Sequence, residues 1–333
     1  MSKRPDLAVF GSGAWGTALA TAWGREGAHV ALWGHPPEAM KELARTRKHP
    51  RLAGSELPPT VHPITTPAEA FRAPIWISAI PTQISPQVWT ELKAQTKVRP
   101  ELLIHASKGI LQEGHQRLSP VLEQILQVPV GVLSGPTFAD EVARNLPTTI
   151  VLALPSTIED DRARELQALL ATQRLRIYLS RDIIGVELCG ALKNVLAIAA
   201  GLVESLELGH NAKAALMTRG LAEMARLVEK LGGRAETVTG LAGMGDLFLT
   251  ATGAQSRNRR FGAMVGTGHS PKAAAASMGE QVVEGVYTTD AALSLAQSVG
   301  VELPITEEVS RLLQGADPLE AVSRLMKRSL KSE

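Results

Sequence analysis

The sequence predicts a mostly parallel, doubly wound α/β sheet followed by an all-helical second half. Three observations predict it. Short apolar runs alternate with helix-like stretches as far as about residue 180. A glycine-rich turn, Gly11 to Gly16, joins the first run to the first helix. Beyond residue 180 apolar side chains recur only at helical spacing. Strand–helix alternation builds a parallel sheet with helices on both faces, whereas a 3.6-residue period builds helices alone.

The predicted strands of the first half are 7–10, 30–33, 75–79, 102–106 and 130–133. Helix-like segments at 17–25, 38–45, 86–92 and 116–126 lie between several of them. A further β–α–β stretch runs through 149–154, 158–170 and 176–179. From Asp182 onward the pattern is helical, with examples at 214–231, 288–298 and 304–313, and the pair Gly232-Gly233 punctuates it. The expected division is therefore a domain of residues 1–180 and a second of residues 181–333.

Composition narrows the function classes. A chain of 333 residues suits two cores rather than one. With 44% hydrophobic and 20% charged residues it has globular composition. A formal net charge of +2 without a basic tail argues against a general nucleic-acid binder. One cysteine, Cys189, excludes an internal disulfide and fits a reducing cytoplasm. Residues 1–6 are mostly polar and the apolar run after them is short, so no signal peptide is expected. The most membrane-like stretch, 186–203, contains Glu187, Lys193 and Asn194, and reads as a buried helix rather than a span.

The first turn carries the clearest chemistry. In Leu-Ala-Val-Phe-Gly11-Ser12-Gly13-Ala14-Trp15-Gly16, Gly11 permits a tight turn, Gly13 a close approach to pyrophosphate, and Gly16 close helix packing. Helix N-terminal amides then face the phosphates. A hydrophobic strand before it, an alanine-rich helix after it and a second strand about twenty residues on make it a Rossmann-type dinucleotide loop. The second strand ends in Trp33-Gly34-His35 rather than in the acid that selects NAD. Glu38 comes late. His35, with Lys41 and Arg45 further off, leaves room for a 2′-phosphate, so NADP is expected to be accepted; His35 as a plain loop residue is the alternative.

Five later segments are candidates for the reaction. In the apolar helix around Leu192-Lys193-Asn194, Glu187, Gly190, Lys193, Asn194 and Ala197 share one stripe. A buried lysine needs a polar partner, and burial lowers its pKa from about 10.4 towards neutrality, which suits proton exchange at a carbonyl oxygen. An ammonium that snorkels to the surface is an equal alternative from this segment alone. Lys108 follows a strand, where α/β sheets bind ligands, or is a surface charge. Ser134-Gly135-Pro136-Thr137-Phe138-Ala139 reads by itself as a strand-to-helix cap, with Thr137 as N-cap. Asp246, after a glycine-rich turn, either caps a helix or bonds Lys193 and a substrate hydroxyl. In Gln255-Ser256-Arg257-Asn258-Arg259-Arg260 an arginine can grip a phosphate, or the segment is a solvated basic turn.

In order along the chain, Gly11–Gly16, Lys108-Gly109, Ser134–Ala139, Leu192-Lys-Asn-Val195, Asn211–Gly220, Gly243-Met-Gly-Asp-Leu247, Gln255–Arg260 and Val282-Val-Glu-Gly285 resemble the bacterial-type NAD(P)-dependent glycerol-3-phosphate dehydrogenase family. The resemblance runs over nearly the whole chain. It implies hydride transfer between NAD(P)H and dihydroxyacetone phosphate, giving sn-glycerol 3-phosphate for phospholipid synthesis, in a cytoplasmic homodimer. It implies Lys193 as proton donor, with Asn194 and Asp246 beside it in catalysis. Lys108, Gly135, Thr137, Lys193, Asp246, Ser256, Arg257 and Asn258 would contact substrate. Gly11, Ser12, Gly13, Ala14, Trp15, Gly16, His35, Lys108, Ala139, Arg257, Val282 and Glu284 would contact cofactor, and no metal is expected. Thr137 replaces the serine of many relatives, and residues 48–54 depart from the family's loop. Rival readings are a β-hydroxyacid or ketopantoate-type dehydrogenase, whose substrate carries a carboxylate, and a non-enzymatic nucleotide sensor.

Overall fold

The computed structural model describes residues 4–279 and 282–328. Among these residues the chain forms eight strands and fifteen helices. The strands are β1 (Leu7–Phe10), β2 (Val30–Trp33), β3 (Val61–Ile64), β4 (Ile75–Ser78), β5 (Leu102–His105), β6 (Val130–Ser134), β7 (Thr148–Ala153) and β8 (Leu175–Ser180). The helices interleaved with them are α1 (Ala14–Arg25), α2 (Pro37–Thr46), α3 (Ser85–Ala94), α4 (Leu118–Leu126), α5 (Ala139–Ala143) and α6 (Asp160–Leu170). The rest follow β8: α7 (Ile183–Ser205), α8 (Gly209–Lys230), α9 (Ala235–Thr239), α10 (Asp246–Thr252), α11 (Arg257–Gly266), α12 (Pro271–Ser277), α13 (Glu284–Ser298), α14 (Pro304–Leu313) and α15 (Pro318–Met326).

The strands make one sheet in the order β3-β2-β1-β4-β5-β6-β7-β8. Every pairing is parallel except β6 with β7. This is the predicted doubly wound sheet, and its strand order reverses between β1 and β4, where such sheets bind ligands. β1 is buried along its whole length because both faces are covered. Leu7 and Val9 join Leu32, Ile77, Ile104 and Trp23 in one core. Phe10 points the other way, onto Trp76 and Trp89 at ring-centroid distances of 5.3 and 4.8 Å. The sequence reading passed over β3. Its Val-His-Pro-Ile sequence holds a proline, which sheets tolerate only where a ladder bond is dispensable, and β3 is an edge strand.

The chain divides into two compact units, residues 1–108 with 118–186 and residues 109–117 with 187–333. They differ from the expected 180/181 division in two places. The first turn of α7 sits with the sheet, and residues 109–117 are grouped with the helices. In that excursion Ile110 and Leu111 are buried, and Arg117 donates to Glu187 of α7 at 2.9 Å. No shift in composition marks these nine residues in the sequence. α7 is long and apolar enough to cross a bilayer, and 89% of its most apolar window is buried inside the fold.

Candidate active site

In the sheet unit, the glycine loop closes the switch point. Gly11 has φ +112°, and a Cβ there would lie 2.7 Å from the Ala79 carbonyl oxygen after β4. A Cβ at Gly16 would overlap the Gly11 carbonyl oxygen, so the start of α1 rests on the loop itself. Gly13 is the N-cap of α1 and supplies no side-chain acceptor to its first amides, and nothing stands within 4 Å of where its Cβ would be. Open space over uncapped helix amides fits a pyrophosphate. Ala14 and Trp15 begin α1 and pack with Ala139 around Ala18, Ala22, Leu52 and Val142. The indole Nε1 of Trp15 is buried and finds no hydrogen-bond partner among the described residues.

Residues 48–54, unlike the family pattern in sequence, fold back onto this loop. His49 Nε2 meets the Ser12 carbonyl oxygen at 3.1 Å, while its Nδ1 accepts from the Arg51 amide at 3.1 Å. A ring nitrogen that accepts from an amide carries no proton, so His49 is neutral and donates through Nε2. Burial and the nearby Arg51 charge hold its pKa below the usual histidine value. Sequence reasoning missed His49, because only the tertiary fold brings it to Ser12. His35 is exposed beyond β2, and Glu38 is exposed in the first turn of α2. Arg45 is paired with Glu42 at 2.6 Å.

Lys108, Gly135 and Thr137 come together at one carbonyl. Lys108 Nζ donates to the Gly135 oxygen at 2.9 Å, and Thr137 Oγ1 donates to the same oxygen at 3.2 Å. Thr137 is therefore not an N-cap. It stands one residue too early: α5 begins at Ala139 with Phe138 in the cap position, and the hydroxyl closes the preceding turn instead.

In the helical unit the ammonium of Lys193 is internal. Its side chain is 7% exposed and Asp246 is fully buried. Nζ donates to Asp246 Oδ1 at 2.5 Å and to Thr250 Oγ1 at 2.9 Å. Thr250 in turn donates to the Asp246 backbone oxygen at 2.6 Å. Of the two alternatives for Lys193, the snorkelling one is thus excluded. Asp246 does not cap α10, whose N-cap is Gly245, but directs its carboxylate at the lysine. A single π turn, Leu241–Gly245, leads into α10, and such turns recur where a helix is reshaped for a site. Thr250 escaped the sequence reading, although its place four residues after Asp246, one helical turn on, is the signal that pairs them.

Ser256, Arg257 and Asn258 occupy the start of α11. Ser256 is a true N-cap, with Oγ accepting from the Arg259 amide at 3.2 Å. Arg257 is exposed as the first helical residue. Asn258 is buried and bonds Asn194 Oδ1 through Nδ2 at 2.9 Å. Glu284 opens α13, with Val282 half-buried just before it.

The model of the NAD-dependent glycerol-3-phosphate dehydrogenase N-terminus matches residues 6–159, and that of the C-terminus matches residues 182–324. The chain belongs to the NAD-dependent glycerol-3-phosphate dehydrogenase family. A glycerol-3-phosphate dehydrogenase [NAD(P)+] of Thioalkalivibrio sulfidiphilus is 43% identical over 336 residues, covering 99% of each chain. One from Koribacter versatilis is 42% identical over 335 residues, covering 98% of each. A crystal structure of glycerol-3-phosphate dehydrogenase from Coxiella burnetii superposes with a TM-score of 0.90 at 41% identity, covering 98% of this chain and 99% of that one. The ordered motifs that suggested this dehydrogenase family thus lie in a chain that shares the family's fold from end to end.

Proposed function

We propose that the protein reversibly reduces dihydroxyacetone phosphate to sn-glycerol 3-phosphate, using NADH or NADPH. The observation that carries this reading is the buried Lys193 ammonium held by Asp246 and Thr250. A buried ion pair of this kind is a poor source of stability, since desolvation offsets its attraction, so its cost points to chemistry. A nucleotide sensor has no use for it.

The sheet unit is the dinucleotide-binding domain, and Gly11 to Gly16 with the start of α1 hold the pyrophosphate. The nicotinamide cofactor, when bound, supplies the hydride for reduction and takes it up in oxidation. Lys193 polarises the ketone oxygen and gives its proton to the alkoxide as hydride reaches the carbon; the reverse reaction returns that proton to the lysine. Asp246 and Thr250 hold Nζ in place, and Asn194 donates to the same oxygen. Arg257, with the first amides of α11, grips the phosphate by charge-assisted bonds. A carboxylate in place of that phosphate, as in the hydroxyacid and ketopantoate rivals, makes less use of it. Lys108, Gly135 and Thr137 line the way to substrate, and Lys108 also meets the cofactor. Ala14, Trp15, His35, Ala139, Val282 and Glu284 contact the cofactor. With no acid at the end of β2, both cofactors are accepted. A cytoplasmic homodimer that supplies the glycerol backbone of phospholipids completes the proposal, supported by the family resemblance.

Remote binding of the phosphate positions the ketone, so its removal lowers kcat as well as raising KM. The test follows absorbance of reduced nicotinamide with dihydroxyacetone phosphate and with dihydroxyacetone, using NADH and NADPH in turn. The expected kcat/KM for the unphosphorylated ketone is lower by at least about 100-fold. Comparable rates on both ketones contradict the proposal.

A further inference from the structure

Two side chains hold the Ser12 carbonyl. His49 Nε2 donates to its oxygen at 3.1 Å from the 48–54 segment, and Thr17 Oγ1 donates to it at 3.1 Å from α1. Both lone pairs of that oxygen are thereby used. The Ser12–Gly13 peptide is trans, so its C=O and its N–H point in opposite directions. Donors that fix the Ser12 oxygen on one side therefore aim the Gly13 N–H at the other. That amide has no acceptor among the described residues, and it stands directly before the open donors at the start of α1.

His49 acts through this carbonyl because it has no atom left for anything else. The Arg51 amide occupies Nδ1 at 3.1 Å, and Ser12 occupies Nε2, so neither ring nitrogen is available to a phosphate. The segment does not depend on His49 for its place. Leu52 is 3% exposed and shares a core cluster with Ala18 and Ala22 of α1.

We infer that His49 is a positioning residue for the cofactor: together with Thr17 it holds the Ser12 carbonyl behind the glycine loop and so aims the Gly13 amide at the pyrophosphate. This rests on the reading of Gly11 to Gly16 as the pyrophosphate site. The experiment titrates NADH by its fluorescence, then displaces it with ADP-ribose, which carries the pyrophosphate, and with adenosine, which carries no phosphate. His49→Ala is expected to weaken NADH and ADP-ribose about 5-fold each, the scale of one hydrogen bond, and to leave adenosine within about 2-fold. In a Thr17→Val background the same change costs more, since the two donors share one carbonyl. His49→Gln offers an N–H at similar reach and restores NADH and ADP-ribose to within about 2-fold of the parent. If His49→Ala does not fold, His49→Phe keeps a ring, removes the donor and is read in the same way. An equal loss on adenosine makes His49 a contact of the nucleoside and overturns the inference. Unchanged affinity for ADP-ribose overturns it too, as does a failure of His49→Gln to restore that affinity. Should the parent bind ADP-ribose no tighter than adenosine, the reading of the glycine loop itself falls and this inference with it, so the two failures are distinct.

Discussion

Lys193 sits where a lysine is hardest to keep, in the middle of a buried helix, and two oxygens hold it there. One is charged, Asp246 Oδ1, and one neutral, Thr250 Oγ1. Thr250 accepts from the lysine and donates to the Asp246 backbone oxygen, so its hydroxyl is satisfied on both sides. Thr250→Val keeps the shape and deletes both bonds. A hydrogen bond to a charged group is worth about 1.5–3 kcal/mol, so kcat should fall by roughly 10-fold or more with cofactor affinity unchanged. Steady-state kinetics beside a cofactor titration checks this, and an unaltered kcat removes Thr250 from the site. At this scale the sequence offered the residue types and left their partners open. Lys193 could be seen as a lysine in an apolar helix. That Asp246 meets it, 53 positions further on, depends on how α7 and α10 pack, which no local pattern encodes.

Elements begin and end where their backbone donors find acceptors, and α14 finds its acceptor on another helix. Glu223 of α8 accepts from the Ile305 amide at 2.6 Å and from the Thr306 amide at 3.4 Å, in the first turn of α14. Burial pushes its carboxyl up to about 7, against the opposing pull of these amides. The folded protein therefore holds a proton that the unfolded chain, with a value near 4.5, releases earlier. Between those values the native state binds more protons, so stability falls as pH rises through the window and stays lower above it. Glu223→Gln removes the ionisation and leaves one acceptor oxygen. Thermal unfolding from pH 5 to 8 should show a falling melting temperature for the parent and a flatter profile for the variant; parallel profiles refute the assignment. Element periodicity was otherwise well legible: β1, β2 and α14 lie where the hydrophobic pattern put them. Pro63 hid β3, because the breaker signal is local while the edge position that tolerates it is not.

At the scale of the molecule, the proposed function gives the two units two tasks that one reaction needs together. The sheet unit holds the glycine loop at its switch point, and the helical unit buries Lys193 against Asp246 and Thr250. The glycine loop was readable from the sequence because its three glycines answer to a local geometry, a tight turn and two close approaches. The excursion 109–117 was not, since its attachment to α7 through Arg117 and Glu187 spans 70 positions of chain. The central claim is that Lys193 transfers the proton as hydride reaches the ketone. Rapid mixing of the NADPH-loaded protein with dihydroxyacetone phosphate, in parent and Lys193→Met, measures that step directly. General acid catalysis contributes about 100- to 10,000-fold, so the account predicts a loss of about a thousandfold in the single-turnover rate, with NADPH affinity unchanged. A variant that turns over within a few-fold of the parent contradicts it.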